Sequence, residues 1–136
     1  MSVRIGFIGA GNIANYHLNQ LEQIEEAKVT ALYDVVKEKA EKTAGRFGGV
    51  VYTDYKEMLD KEKLDALYVC VPPFAHEDQE LIAAEKGIAL MVEKPIAVTL
   101  KKALEIEKAI QKAGVISSVA YNWRYLDTTD RAKELL

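Results

Sequence analysis

Apolar residues occur in two alternating patterns along the chain. Short runs rich in β-branched residues are separated by longer stretches in which apolar residues recur every three or four positions. The first pattern is typical of strands and the second of helices. Strands are predicted at residues 3–8, 29–33, 50–52, 66–71, 89–92 and 115–121. Because nearly continuous apolar runs are typical of strands buried on both faces, the pattern predicts a parallel sheet between two layers of helices.

Helices are predicted between these strands, at residues 13–24, 37–46, 55–59, 74–86 and 99–113. The stripe of the first helix that is expected to face the sheet consists of Ile13, His17, Leu21 and Ile24. Pro72 and Pro73 cannot continue a central strand but suit the start of the fourth helix, and Gly87 is a good terminator for it. Thr99 is a candidate cap for the fifth helix, which Gly114 would end.

The order of these elements predicts the fold class. Right-handed crossovers between parallel strands fold the alternation into a doubly wound sheet, the Rossmann fold, with strand order 3-2-1-4-5-6. A further helix begins at Asp127, near the end of the 136 residues. We therefore expect residues 1–124 to form a nucleotide-binding domain, and residues 125–136 to begin a helix that leads to an absent C-terminal domain.

The six residues GAGNIA that follow the first predicted strand match the pattern G-x-G-x-x-G/A. In this pattern Gly9 permits a tight turn, Gly11 leaves room for a pyrophosphate, and Ala14 lets the helix pack closely on the strands. The pyrophosphate would meet the free N–H groups at the helix N-terminus. The candidate contacts here are Gly9, Gly11, Asn12 and Ile13. Methyltransferases carry similar loops, so the pattern alone indicates only a nucleotide site.

Asp34 makes the prediction more specific. It ends the second strand about twenty residues after Ala14, where a carboxylate can accept hydrogen bonds from an adenosine ribose. The alternative is an ordinary turn residue or a cap for the next helix. The carboxylate would repel a 2′-phosphate, and Val35 and Val36 offer it no donor, so NAD is favoured over NADP. Lys37 is the exception, since it could swing toward a phosphate.

Candidate chemistry follows the fourth, fifth and sixth strands, because ligands of doubly wound sheets lie across the carboxyl ends of the strands. The residues there are Cys70, Val71, Pro72, Pro73 and His76, then Glu93, Lys94 and Pro95, then Asn122, Trp123, Arg124 and Tyr125. Lys94 could hydrogen-bond a substrate hydroxyl or take its proton. A solvated Glu93–Lys94 pair is the alternative. The bond before Pro95 is a candidate cis bond that would fix the direction of Lys94.

Taken together, these motifs resemble the N-terminal domain of the Gfo/Idh/MocA oxidoreductase family over nearly the whole chain. The motifs are the glycine loop with His17, the run VCVPP with His76, the triplet EKP and the run YNWRY. The resemblance implies hydride transfer between NAD(P) and a sugar, inositol or related polyol. It implies that Lys94 contacts the reacting hydroxyl and that Glu93 and Asn122 lie near the cofactor ribose and nicotinamide. Val71, Pro72 and His76 complete the expected cofactor contacts.

The resemblance also implies a second domain that has no counterpart in this sequence. That domain is mostly an antiparallel sheet, which carries much of the substrate pocket, an active-site His and commonly the oligomer interface. We therefore expect the chain alone to be inactive and the complete protein to be a possible homo-oligomer. Trp123 and Tyr125 would line the nicotinamide pocket or pack against the absent domain, and Arg124 would pair with an acid across that junction or hold a substrate oxygen. A non-catalytic NAD(P)-binding or redox-sensing module is the alternative function.

Three residues with reactive side chains are assigned no acid–base chemistry. His17 lies on the predicted sheet-facing stripe, which favours a structural role. His76 would line the cofactor or simply pack. Cys70 ends a buried strand, where a thiol behaves as a small hydrophobic group.

Composition limits the partners. Eighteen basic and 21 acidic residues give a net charge of −3, so no basic field favours nucleic acid or an anionic membrane. The single Cys70 cannot form an internal disulfide, and no leader precedes the first strand, so we expect a cytoplasmic protein. Apolar runs such as residues 88–92 are too short to span a bilayer. No metal site is expected.

Overall fold

The computed structural model describes residues 2–136, so residue 1 of the predicted domain lies outside the described part. It contains a six-stranded, all-parallel sheet with strand order β3-β2-β1-β4-β5-β6. The strands are β1 (Val3–Ile8), β2 (Ala27–Tyr33), β3 (Val50–Tyr52), β4 (Ala66–Val69), β5 (Ala89–Val92) and β6 (Ser117–Val119). The doubly wound fold predicted from the alternation is therefore confirmed.

Helices connect the strands and cover both faces of the sheet. They are α1 (Asn12–Leu21), α2 (Lys37–Phe47), α3 (Tyr55–Lys61), α4 (Gln79–Glu85), α5 (Leu100–Ala113) and α6 (Asp127–Glu134). Short 3-10 turns occupy Pro73–Ala75 and Asn122–Tyr125. As predicted, the Thr99 side chain caps α5, accepting from the Lys102 N–H, and Gly114 ends it in the left-handed conformation.

The core has two parts, one on each side of the sheet. On one side Ile5, Phe7 and Leu32 pack with Leu18 of α1, and α2 adds Phe47. On the other side a larger cluster joins the sheet to α3, α4 and α5; its fully buried members include Ile8, Met58, Leu59, Leu67, Val69 and Val92. Because β1 and β4 are covered on both faces, their carboxyl ends are held in fixed positions at one end of the sheet.

The helix predicted at 74–86 is confirmed only over its second half, as α4. Its first half is wrong, because the chain there forms a 3-10 turn and then an extended residue at His76. The Gln79 side chain explains the break. Its amide donates to the Ala75 carbonyl at 3.0 Å and its oxygen accepts from the Glu77 N–H at 2.6 Å. These side-chain bonds replace helical backbone bonds. The predicted strands 66–71 and 115–121 are also shorter in the structure, ending at Val69 and spanning only 117–119.

The sheet-facing stripe predicted for α1 is also wrong in part. The buried residues of α1 are Ala14, Leu18 and Leu21, whereas Ile13 is 41% exposed and Ile24 lies beyond the helix end. Both sets of residues fit a helix of 3.6 residues per turn, so periodicity does not distinguish them. The buried face is instead rotated toward Ala14 and Leu18 by somewhat less than one residue.

Two kinds of feature are absent from residues 2–136. No helix in this range has the length and apolar character needed to cross a membrane. Nor does this range contain a group of three or more His, Cys, Asp and Glu side chains that could hold a metal ion.

Candidate functional site

A cavity of about 700 Å³, the first cavity, opens at the carboxyl ends of β1, β2, β4 and β5. Most of its wall comes from residues that directly follow these strands. The lining residues are Gly9, Gly11, Ile13, Tyr33, Asp34, Val35, Lys39, Cys70, Val71, Pro72, Pro73, Phe74, Ala75, Glu93 and Lys94. The strand order reverses between β1 and β4, and this reversal is where doubly wound sheets bind their ligands.

The glycine turn, residues 9–14, shapes one end of this cavity. Gly9 has a φ of +95°, and a Cβ placed on it would lie 2.4 Å from the Cys70 carbonyl oxygen. Gly11 is the N-cap residue of α1 with a φ of −78°, and a Cβ on it would meet nothing within 4 Å. Gly9 is thus required by the fold itself, whereas Gly11 keeps space open beside the first N–H groups of α1.

Asp34 connects the glycine turn to the end of β2. It is 8% exposed; one carboxylate oxygen accepts from the Ala10 N–H at 2.8 Å and the other from the Val36 N–H at 2.9 Å. The bond to Val36 is the local turn contact that the sequence left open, and the bond to Ala10 was not foreseen. Because each carboxylate oxygen can accept more than one hydrogen bond, Asp34 can still receive ribose hydroxyls at the cavity wall.

Glu93 is held from two sides at the end of β5. His17 Nε2 lies 2.7 Å from one oxygen of Glu93, and the two side chains are only 15% and 9% exposed. The other oxygen accepts from the Lys94 N–H at 3.1 Å. The sequence placed His17 on the sheet-facing side of α1 but did not pair it with Glu93. One signal for this contact was available in the sequence. His17 lies about one helical turn after the glycine motif, close to the end of the helix that faces the strand ends.

A second cavity of about 350 Å³ adjoins the first and shares Ile13, Glu93 and Lys94 with it. Its other lining residues include Tyr16, His17, Ser118, Tyr121, Asn122 and Tyr125. Lys94 is exposed, and its peptide bond to Pro95 is cis. Because Lys94 lines both cavities, an occupant of either one can contact this residue.

The structure gathers most of the predicted site residues around these cavities. The first cavity is lined by Gly9, Gly11, Ile13, Asp34, Val71, Pro72, Glu93 and Lys94, and the second by Asn122. Asn12 is the exposed first residue of α1 and the His76 side chain is buried, and neither residue lines a described cavity. Their assignment as cofactor contacts stays a prediction.

The structure changes the assignment of Lys37 and agrees with that of Cys70. Lys37, considered for a 2′-phosphate, is paired with Glu41 at 2.9 Å, while Lys39 lines the first cavity instead.

Burial, and to a smaller extent the charge of Glu93, raise the pKa of the Cys70 thiol to about 12. Cys70 thus stays protonated at neutral pH, as suits a core residue at the cavity floor.

The chain beyond β6 exposes aromatic side chains. Trp123 is 76% exposed and Tyr125 is 75% exposed, and Tyr125 lines the second cavity. Arg124 lines a small adjoining hollow with Lys94 and Trp123. The division into residues 1–124 and 125–136 is not tested by these contacts and stays a prediction.

A doubly wound sheet with a glycine turn, a strand-end carboxylate and a cavity at the reversal of strand order defines a nucleotide-binding domain. Residues 3–121 match the model of the Gfo/Idh/MocA family, described as an oxidoreductase family with an NAD-binding Rossmann fold, and the chain belongs to this family. The resemblance inferred from the sequence is therefore confirmed.

Curated relatives include several dehydrogenases. The chain is 32% identical over 133 residues to a glucose-6-phosphate 3-dehydrogenase of Bacillus subtilis, covering 98% of this chain and 37% of the relative. It is 37% identical over 112 residues to an inositol 2-dehydrogenase/D-chiro-inositol 3-dehydrogenase of Shouchella clausii, covering 80% of this chain and 32% of the relative. The chain thus spans about a third of the length of these relatives.

Solved structures give the same picture. The WlbA dehydrogenase from Chromobacterium violaceum, in complex with NADH and UDP-GlcNAcA, superposes with a TM-score of 0.91 at 27% identity, covering 98% of this chain and 39% of that chain. A myo-inositol 2-dehydrogenase from Lactobacillus plantarum superposes with a TM-score of 0.89 at 26% identity, covering 99% of this chain and 41% of that chain.

Proposed function

We propose that the chain is the cofactor domain of a dehydrogenase that transfers a hydride between NAD and a sugar, inositol or related polyol. The observation that carries this proposal is the position of Lys94 and Glu93 on the wall shared by the two cavities. The names of the glucose-6-phosphate and inositol dehydrogenase relatives support the substrate class.

The residues of the first cavity suit a dinucleotide. Gly11 leaves a cradle that a Cβ would enter, next to the uncapped first turn of α1, where a diphosphate is stabilised by N–H groups and the helix dipole. Asp34 would accept from the adenosine ribose at one end of the cavity. Glu93 would lie near the nicotinamide ribose at the other end. NAD, when bound, supplies the carbon that accepts the hydride.

Lys94 is the proposed catalytic residue. Its ammonium can donate a hydrogen bond to the oxygen at the reacting carbon, which stabilises that oxygen as a carbonyl forms or as a hydroxyl is regenerated. In the oxidation direction, the amine can take the hydroxyl proton. Asn122, in the second cavity with Lys94, would help to orient the nicotinamide.

Asp34 should favour NAD over NADP. Its carboxylate is fixed by Ala10 and Val36 at the cavity wall, and the neighbouring Val35 is 82% exposed and apolar. A 2′-phosphate would meet a negative charge there, with Lys39 as the compensating cation. We expect calorimetry to show tighter binding of NADH than of NADPH, and equal or reversed affinities would contradict the preference.

Turnover tests the catalytic part of the proposal. In the complete gene product, Lys94→Ala should abolish polyol-dependent reduction of NAD while NADH affinity stays within about threefold, because Lys94 acts on the substrate oxygen. Retention of turnover by Lys94→Ala would refute its catalytic role.

Self-association of the complete protein also stays a prediction, and sedimentation velocity measures it.

A non-catalytic NAD-binding or redox-sensing module is the second candidate. The first cavity supports it, because the residues that line it suit a dinucleotide whether or not turnover follows. Tight NADH binding without polyol-dependent turnover by the complete gene product would favour this function. A titration in which S-adenosylmethionine displaces NADH would instead indicate a methyltransferase.

A further inference from the structure

His17 connects two parts of the site that lie far apart in the sequence. It belongs to α1, the helix that begins at the glycine turn, and its Nε2 lies 2.7 Å from Glu93, 76 positions later at the end of β5. The imidazole also packs beside the ring of Tyr68, with centroids 5.5 Å apart. The ring is therefore restrained by packing as well as by its polar contact.

This contact restricts the orientation of the Glu93 carboxylate. One oxygen faces His17 and the other accepts from the Lys94 N–H, so turning the carboxylate would break both bonds. Both side chains of the pair are largely buried, and a hydrogen bond to a charged group is worth more there than in water. The contact with His17 thus limits the orientations that the Glu93 carboxylate can take beside the two cavities.

We propose that His17 is a positioning residue, which fixes the Glu93 carboxylate and thereby sets the affinity for the nicotinamide half of the dinucleotide. The inference rests on the proposed function, and it goes beyond the packing role that the sequence favoured. The adenosine half is expected to be insensitive to His17, because Asp34 takes its hydrogen bonds from Ala10 and Val36. A residue that merely supports α1 would affect both halves together.

The test compares two ligands on four forms of the chain. NADH reports on the whole site, and adenosine diphosphate reports on the adenosine and diphosphate portion alone. His17→Leu removes the N–H donor at similar volume, and His17→Gln keeps a donor near the position of Nε2. Gln20→Leu is the control, because Gln20 is an exposed residue of the same helix.

We expect His17→Leu to weaken NADH binding about tenfold, the size expected for losing a hydrogen bond to a charged group, and to change adenosine diphosphate binding less than about twofold. His17→Gln should restore most of the NADH affinity, and Gln20→Leu should match the unmodified chain. A parallel loss for both ligands, or unchanged NADH binding, would overturn the positioning role.

A double-mutant cycle guards against a folding defect in the single variant. Glu93→Ala removes the group through which His17 is proposed to act, so adding His17→Leu should change NADH affinity less than about twofold further. Full additivity of the two losses would overturn the inference. If His17→Leu does not fold, His17→Gln decides the question through the ratio of its affinity for NADH to its affinity for adenosine diphosphate. A tenfold lower ratio than that of the unmodified chain would count against the proposal.

The failures of the two proposals differ. An unmodified chain that binds no NADH would overturn the proposed function and this inference together. An unmodified chain that binds NADH, with His17→Leu binding it equally well, would overturn the inference alone.

Discussion

Two segments of the first cavity wall acquire their shapes in opposite ways. The glycine turn, residues 9–14, depends on missing side chains, since a Cβ on Gly9 would collide with the Cys70 carbonyl. The β4–α4 loop, residues 70–78, depends on side chains that replace or supplement backbone bonds, as Gln79 does. The same cavity is therefore sensitive to added atoms on one side and to deleted atoms on the other.

The β4–α4 loop is also anchored by a buried polar pair. His76 Nδ1 lies 2.5 Å from Glu80, and the side chains are 1% and 0% exposed. Within residues 2–136, His76 Nε2 and the second oxygen of Glu80 are buried without a hydrogen-bond partner. Each partner therefore depends on the other, whereas the glycine turn contains no such pair.

The largest effect is expected from Gly9→Ala. The substitution combines a φ of +95° with an approach of 2.4 Å to a backbone oxygen that cannot move freely. We expect a loss of about 4 kcal/mol in the free energy of unfolding, from backbone strain together with overpacking. Urea denaturation measures it, and a loss below about 1 kcal/mol would show that the turn and Cys70 can separate easily.

The next largest effect is expected in the β4–α4 loop. His76→Leu should cost about 3 kcal/mol, because it leaves the Glu80 carboxylate buried without its partner. The double variant His76→Leu/Glu80→Leu should recover most of that loss, since replacing a whole buried pair by apolar residues is often neutral. Urea denaturation of the three proteins checks this, and a double variant less stable than His76→Leu would argue against the pair as the anchor.

Gly11→Ala should separate binding from folding within the glycine turn. A methyl group there has no protein neighbour within 4 Å, so stability should fall by less than about 1 kcal/mol, the scale of a helix N-cap change. NADH affinity should fall about tenfold, because the methyl group enters the space assigned to the diphosphate. Calorimetry and thermal melting measure the two effects. Gly45→Ala, an exposed site inside α2, is the control and should leave NADH binding unchanged.

The smallest effect is expected at the opposite end of the sheet, where exposed Arg4 and Asp65 join β1 to β4 at 2.8 Å. Side-chain hydrogen bonds from Arg4, then its backbone N–H, hold the pKa of Asp65 well below its ordinary value. A carboxyl with a lowered pKa stabilises the fold above its unfolded pKa of about 4, and this contribution is lost as the pH falls below that value. Asp65→Asn should therefore lose less stability than the unmodified chain between about pH 5 and pH 2, measured by urea denaturation. An identical pH dependence of both proteins would contradict this.

Local patterns were sufficient to predict the sheet. Residues 3–8, 50–52 and 89–92 were placed at their observed bounds, and the strand order followed from the handedness of crossovers. Local patterns failed at the helix predicted from residue 74, because the Gln79 side chain competes with the backbone for hydrogen bonds and periodicity does not register such competition. The glycine turn and Asp34 were found because their chemistry requires particular residues at a characteristic spacing along the chain.

Contacts across the sheet were the part of the site that the sequence could not provide. The pairing of His17 with Glu93 joins two elements that only the folded sheet brings together. Likewise, Lys39 rather than Lys37 faces the cavity, because the orientation of α2 after β2 decides which lysine points inward. The two lysines are two residues apart, about 200° around a helix, and the periodic pattern does not fix how α2 is rotated against the cavity.

The wall that the two cavities share has a consequence for equilibrium binding. Ile13, Glu93 and Lys94 belong to both cavities, so an occupant of one cavity changes the surface that the other offers. By thermodynamic linkage, the factor by which a first ligand alters the affinity of a second equals the factor in the reverse direction. These three side chains are thus one route by which two ligands bound to this domain would affect each other's affinity.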